Sequence, residues 1–164
     1  MPALRPATTD DAEAAHAVCV RGFAVYDSFG VEGYRRPGES PEELRGRLRN
    51  GWGHVAEHAG AVVGFAAAEP GREEVRTGAL VAGLAHVWAV FVDEAHWGDG
   101  TATVLLAAVL DEARTRAFTE ARLYTPALHA RARRFYAREG WSERGEPQLV
   151  EHLGLELLEL RRAL

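Results

Sequence analysis

The sequence predicts an α/β (α+β) fold built on a central mixed sheet, and three observations carry that prediction. The segment LAHVWAVFV (84–92) is apolar on both alternating faces, the pattern of a strand covered on two sides. Strand-like and helix-like stretches alternate along the chain in the order β, α, α, β, β, β, α, β, α and a tail. The 164 residues are 47% hydrophobic and 26% charged, enough to bury one sizeable core, and neither a repeat nor a linker divides them. The expected organisation is therefore one domain over 1–164.

ALRPA (3–7) reads as a short strand. Thr9 or Asp10 is the expected cap of the helix that follows, which sets Ala15, Val18, Cys19 and Phe23 on one face. Residues 30–41, rich in Gly and Pro, read as loop. Ser40 with Pro41 and Glu43 signals a helix over 41–50. Two apolar stretches flank Ala59-Gly60 within 54–70, a hairpin reading, and 71–82 reads as loop. Along 84–92, strict alternation sets His86, Trp88, Val90 and Val92 on one side and Val87, Ala89 and Phe91 on the other. A helix over about 101–116 carries Ala102, Leu106, Val109, Leu110 and Ala113 as its stripe. ARLYT (121–125) is a strand ended by Pro126. A helix over about 128–139 shares Leu128, Ala132, Phe135 and Tyr136 on one face and stops at Gly140. The tail, 148–161, is ambiguous, and its LELLEL suits a helix at least as well as a strand.

Composition narrows the function classes. The net charge of −5 is spread evenly over the chain, which argues against nucleic-acid binding. No run of about 20 apolar residues is present, so no membrane span is expected. MPALRPATTDD lacks the apolar stretch of a secretory signal, and one cysteine gives no disulfide; a cytoplasmic protein is the expectation. All 19 basic residues are Arg, so a lysine Schiff base or a phosphate-loop lysine is ruled out. No metal site is expected.

The informative unit is a strand, a glycine-bearing turn and a helix: VWAVFVDEAHWGDGTATVLLAAVL. Gly98 and Gly100 allow close backbone approach, and the positive helix end beyond them suits an anion such as a diphosphate. Alone, the same glycines also fit an ordinary tight turn. A second segment, TPALHARARRFYAREGW (125–141), narrows the choice. The first segment reads Val92 … Trp97-Gly98-Asp99-Gly100-Thr101-Ala102 … Leu105-Leu106, and the second His129 … Ala132-Arg133-Arg134-Phe135-Tyr136 … Gly140-Trp141. Together they resemble the GNAT superfamily of N-acetyltransferases, and the element order fits over nearly the whole chain. Trp97 stands where that pattern has Arg, His129 replaces its Asn, and Ala102 is an accepted variant of its last glycine.

The resemblance implies a mostly antiparallel sheet splayed between its fourth and fifth strands, with helices on both faces. It implies acetyl-CoA as cosubstrate: the pantetheine arm along Val90, Phe91 and Val92, the diphosphate on the N–H groups of Trp97, Gly98, Asp99, Gly100, Thr101 and Ala102, and further contacts from His129 and Arg134. The thioester carbonyl would meet an N–H near Phe91 or Val92. Tyr136 matches the family's proton donor to the leaving thiolate, against its reading as a core aromatic. His86 is a candidate base, against its reading as a packed histidine; Glu69, Glu73, Glu74 or water are its rivals. Arg131, Arg134 and Arg138 share one stripe, either a solvated face or a source of one phosphate contact. The segment 22–38 is a candidate acceptor loop, with Phe23, Tyr26, Phe29, Tyr34 and Trp88 lining the acceptor and Asp27 or Glu32 attracting a cation, against its reading as ordinary packing under a long loop.

The function expected is acetyl transfer from acetyl-CoA to a primary amine of a small molecule or peptide, by direct attack on the thioester. The alternative is a non-catalytic acyl-CoA-binding domain, favoured by the changes at Trp97 and His129; a nucleotide-binding α/β domain is a weaker third. The resemblance leaves a homodimer open.

Overall fold

Seven strands form one sheet in the order β1-β2-β3-β4-β5-β7-β6. This computed structural model describes residues 1–36 and 39–164. The strands are β1 (Ala3–Pro6), β2 (Trp52–His58), β3 (Ala61–Arg72), β4 (Leu80–Val92), β5 (Glu120–Pro126), β6 (Ser142–Val150) and β7 (Leu155–Ala163). The helices are α1 (Ala12–Gly22), α2 (Pro41–Asn50), α3 (Thr101–Thr115) and α4 (Ala130–Arg138). Every neighbouring pair is antiparallel except β4 with β5.

Helices cover both faces, each over its own core. One face packs Leu105, Leu106, Val109 and Leu110 of α3 with Val87, Leu123, Tyr136 and Trp141. The other packs Ala15, Val18 and Cys19 of α1 and Leu44 of α2 with Phe65, Trp88 and Ala89. Trp52 ties β2 to α3, its buried Nε1 donating to the Val109 carbonyl at 2.9 Å. No helix among the described residues is long and apolar enough to cross a membrane.

The local signals act as expected at several points. Ser40 Oγ accepts the Glu43 N–H at 3.1 Å and opens α2. Ala59 (φ 51°) and Gly60 (φ 79°) are both left-handed, the turn that matches the twist of a two-residue hairpin.

Other expectations are corrected. The N-cap of α1 is Asp11, not Thr9 or Asp10, and Thr8 caps the short turn that leads into it. The Asp11 carboxylate takes the Thr8 N–H at 2.7 Å and a two-pronged Arg5 contact at 2.8 Å, which winds Thr9–Asp11 into a 3-10 turn. Residues 23–29, read as part of a loop, continue α1 as a 3-10 helix. The loop expected at 71–82 shrinks, because β3 runs to Arg72 and β4 starts at Leu80. Leu128 precedes α4 and is 66% exposed, so it leaves the helix face expected of it. The tail is the β6–β7 hairpin. Seven pairs of β7 with β5, from Glu120↔Ala163 to Pro126↔Leu157, override the helical reading of LELLEL.

The alternation along 84–92 is also corrected. Ala67 pairs with Ala89 and Ala68 with Val87, so Trp88 is an extra residue on β4, a bulge. It flips the faces: Val87 joins Val90 and Val92 over α3, while Trp88 joins Ala89 and Phe91 over α1.

Candidate functional site: the cleft between the fourth and fifth strands

β4 and β5 stay in register for three pairs only, Leu84↔Glu120, Ala85↔Ala121 and His86↔Arg122. Beyond His86 they part. The gap opens into a cavity of about 640 Å³, the size range of small-molecule sites. Past the bulge, the Asp93 N–H reaches the Val63 carbonyl of β3 at 2.8 Å. Strand alternation then turns the main-chain groups of Phe91 toward β3 and those of Val90 and Val92 toward the gap. The Val92 carbonyl accepts the Trp97 indole N–H at 2.8 Å, which matches this orientation.

The glycine turn closes one end of the cavity. Gly98 (φ 85°) and Gly100 (φ 96°) are both left-handed, a conformation that other residues adopt only with strain. A Cβ at Gly98 would meet nothing within 4 Å, and one at Gly100 only the Met1 Cε at 3.6 Å, so space above the turn is open. Not every N–H in the turn is available. That of Trp97 donates to the Glu94 carbonyl at 3.0 Å and that of Thr101 to the Asp99 carboxylate at 2.8 Å. Those of Gly98, Asp99, Gly100 and Ala102 have no partner among the described residues.

α4 forms the facing wall. His129 caps it, Nδ1 accepting the Ala132 N–H at 3.5 Å, and its ring lies 5.3 Å from that of Phe29. Burial, with Arg131 nearby, lowers the pKa of His129 and keeps the ring neutral. Tyr136 lines the cavity beside Phe135 and Trp141. Its hydroxyl has no hydrogen-bond partner among the described residues, and burial pushes its pKa up. Arg131, Arg134 and Arg138 also line the cavity. The third wall is aromatic. Tyr26 and Phe29 of the 3-10 helix reach the cavity with Trp88 and Arg36. No Asp or Glu lines it among the described residues.

Of the residues singled out from sequence, Tyr136, Val90, Phe91, Val92, Trp97, Gly98, Gly100, Ala102, His129, Arg134, Tyr26, Phe29 and Trp88 meet on these walls. His86, Asp99, Thr101 and Tyr34 do not. Tyr34 packs behind the wall against Phe23 and Tyr26. Asp99 is turned to Thr101 and His96. His86, 3% exposed, lies where the strands separate, and its Nδ1 accepts from Arg122 Nε at 3.5 Å. Burial, reinforced by the Arg122 charge, lowers its pKa to about 3.

The other acids considered also lie off the cavity wall. Glu69 is gripped by Arg47 at 2.6 and 3.1 Å. Glu73 and Glu74 lie in the exposed turn between β3 and β4. Asp27 accepts the Gly33 N–H at 2.9 Å, bracing its own loop, and Glu32 is exposed. Pro37 and Gly38, the end of the expected acceptor loop, lie outside the described residues. Tyr124, Thr125 and Arg36 are wall residues that sequence reasoning missed; strand alternation after Arg122 marks Tyr124, but nothing local marks Arg36.

Comparison with known proteins follows the same lines. The model of the acetyltransferase (GNAT) family matches residues 23–141. A ribosomal-protein-alanine N-acetyltransferase from Brucella melitensis superposes with a TM-score of 0.74 at 26% identity, covering 99% of each chain. The PaiA N-acetyltransferase from Thermoplasma acidophilum, solved with coenzyme A, gives a TM-score of 0.74 at 16% identity, covering 97% of this chain and 98% of that one. The ribosomal-protein-S18-alanine N-acetyltransferase from Escherichia coli gives 0.69 at 16% identity, covering 99% and 94%. At 16% identity these last two attest the fold alone. No curated protein sequence matches the chain. The open turn, the free N–H groups and an acid-free cavity fit a polyphosphate-bearing thioester, and with the family model matching most of its length this chain belongs to the GNAT acetyltransferase family, with acetyl-CoA as its cosubstrate.

Proposed function

We propose that this protein is an N-acetyltransferase that moves the acetyl group of acetyl-CoA to a primary amine of a small molecule or peptide by direct attack on the thioester. The observation that carries the reading is the parting of β4 from β5, which leaves the main-chain groups of Val90 and Val92 on a cavity ending at Gly98 and Gly100. An extended pantetheine arm can add there as a short strand. The N–H of Val92 or Val90, rather than that of Phe91, is then the donor to the thioester oxygen.

The acceptor nitrogen forms the new C–N bond as the C–S bond breaks. It must arrive uncharged. An aromatic wall with no acid among its described lining residues, its Arg36 held by Glu39 at 2.9 Å, disfavours an ammonium ion, since burial lowers the pKa of a bound amine. His86 has neither access to the cavity nor the basicity to collect that proton near neutral pH, so we assign its removal to water. Tyr136 gives its proton to the departing thiolate and is reprotonated from solvent. Its raised pKa makes it a weak donor, so transfer accompanies C–S cleavage rather than preceding it.

The test is release of CoA thiol from acetyl-CoA over a panel of primary amines and short peptides, alongside calorimetric titration of CoA. Amine-dependent release supports the reading. CoA binding without amine-dependent release would replace it with non-catalytic acyl-CoA binding.

A further inference from the structure

The turn over residues 97–102 holds no cation. Its one charged side chain is Asp99, and two of its N–H groups are already taken, by Glu94 and by Asp99. Gly98, Asp99, Gly100 and Ala102 are left to hold a doubly charged diphosphate through neutral donors alone. These N–H groups bond charged oxygens, but none of them brings a positive charge to offset the two negative charges of the diphosphate.

The missing charge stands on α4. Trp97 is 44% exposed, yet its ring is fixed, because Nε1 donates to the Val92 carbonyl at 2.8 Å. Over that ring lies the Arg131 guanidinium, 3.8 Å from the centroid, within the range of a cation–π contact. Arg131 has no carboxylate partner among the described residues. Arg133, off the stripe, is held by Glu143 and by the Ala127 carbonyl. Both Trp97 and Arg131 line the cavity at the glycine turn. We propose that Trp97 is a positioning residue that seats Arg131, and that Arg131 supplies the cation for the diphosphate of acetyl-CoA. A ring on the turn and a guanidinium on the facing helix thus do together what one arginine in the turn would do alone.

This inference rests on the proposed placement of acetyl-CoA, and the test separates the two. Calorimetric titration uses CoA and 3′-dephospho-CoA. For Arg131→Gln, an exposed position that does not endanger folding, the Kd for both should rise about tenfold. Trp97→Leu should raise it about threefold, the loss of one cation–π contact, and Trp97→Arg should keep it near the wild-type value. An unchanged Kd for CoA in Arg131→Gln would overturn the inference while leaving the site intact. A loss seen with CoA but not with 3′-dephospho-CoA would also overturn it, by moving Arg131 to the 3′-phosphate. Failure of the wild-type protein to bind CoA would overturn the placement itself.

Discussion

The two walls of the cavity are built on opposite plans. On the cofactor side, the turn at Gly98 and Gly100 offers main-chain N–H groups, and α4 offers arginines that no carboxylate neutralises among the described residues. On the acceptor side, the side chains are already committed to one another. Phe23, Tyr26 and Tyr34 pack ring on ring at 4.7–5.3 Å; Arg36 contacts Glu39 at 2.9 Å; Arg47 lies 4.0 Å over Trp88 while holding Glu69. On the function proposed, one wall is poised for the charged acetyl-CoA, and the other is a shaped aromatic surface that would select the acceptor by fit. Substitutions should therefore separate cleanly into losses of acetyl-CoA binding and losses of acceptor selection.

The largest effect is expected on the cofactor wall. Gly100→Val puts a β-branched residue at φ 96° and a side chain where the diphosphate would lie. Acetyl-CoA affinity should fall by about 100-fold or more, roughly 3 kcal/mol, as read by calorimetry on folded protein. Retained affinity would break the contrast between the walls.

Tyr136→Phe comes next. It should lower kcat by about 10–100-fold with little change in acetyl-CoA affinity, checked by initial rates beside titration. An unchanged kcat would leave Tyr136 a packing residue.

A smaller effect, on stability rather than rate, is expected at His86. Its folded pKa of about 3 lies below the ordinary value of 6.5, so the unfolded chain binds the proton more readily. The stabilisation by the neutral ring is complete above about pH 6.5 and is lost as pH falls from there toward 3. Between pH 7 and pH 5 the wild type should lose ~2 kcal/mol more than His86→Gln in denaturant titrations. The acid limb of the pH–rate profile should be the same in both. A limb that moves in His86→Gln would return the histidine to proton transfer.

Tyr26→Leu sharpens the comparison from the acceptor side. The acceptor KM should rise severalfold, about 1 kcal/mol for one aromatic contact, while acetyl-CoA binding stays level. A parallel loss of acetyl-CoA binding would show that the two walls are not separable.

The wall made by the glycine turn and α4 is the more legible in sequence because its physics is local. Gly98 and Gly100 are needed for their own backbone angles, and Tyr136 sits at fixed helical spacing from His129 and Ala132. What escaped depends on distant pairing. The bulge at Trp88 arises from the register with Ala67 and Ala68, and it turns Val87 to the face opposite the one alternation assigned. The β6–β7 hairpin is fixed by β5 rather than by the composition of LELLEL. His86 looked like a base by residue type and position, but the closeness of Arg122 and its burial belong to the fold. Arg36 reaches the cavity through the path of a loop, for which a single sequence holds no period to read.

The central claim is that the widening gap between β4 and β5 receives acetyl-CoA as an added strand. A crystal structure of the complex with CoA measures this directly. The pantetheine amides should lie within hydrogen-bond distance of the main chain of Val90 and Val92, with the diphosphate on the N–H groups around Gly98 and Gly100. CoA bound elsewhere, or main-chain pairing of β4 with β5 continuing past His86, would contradict the account.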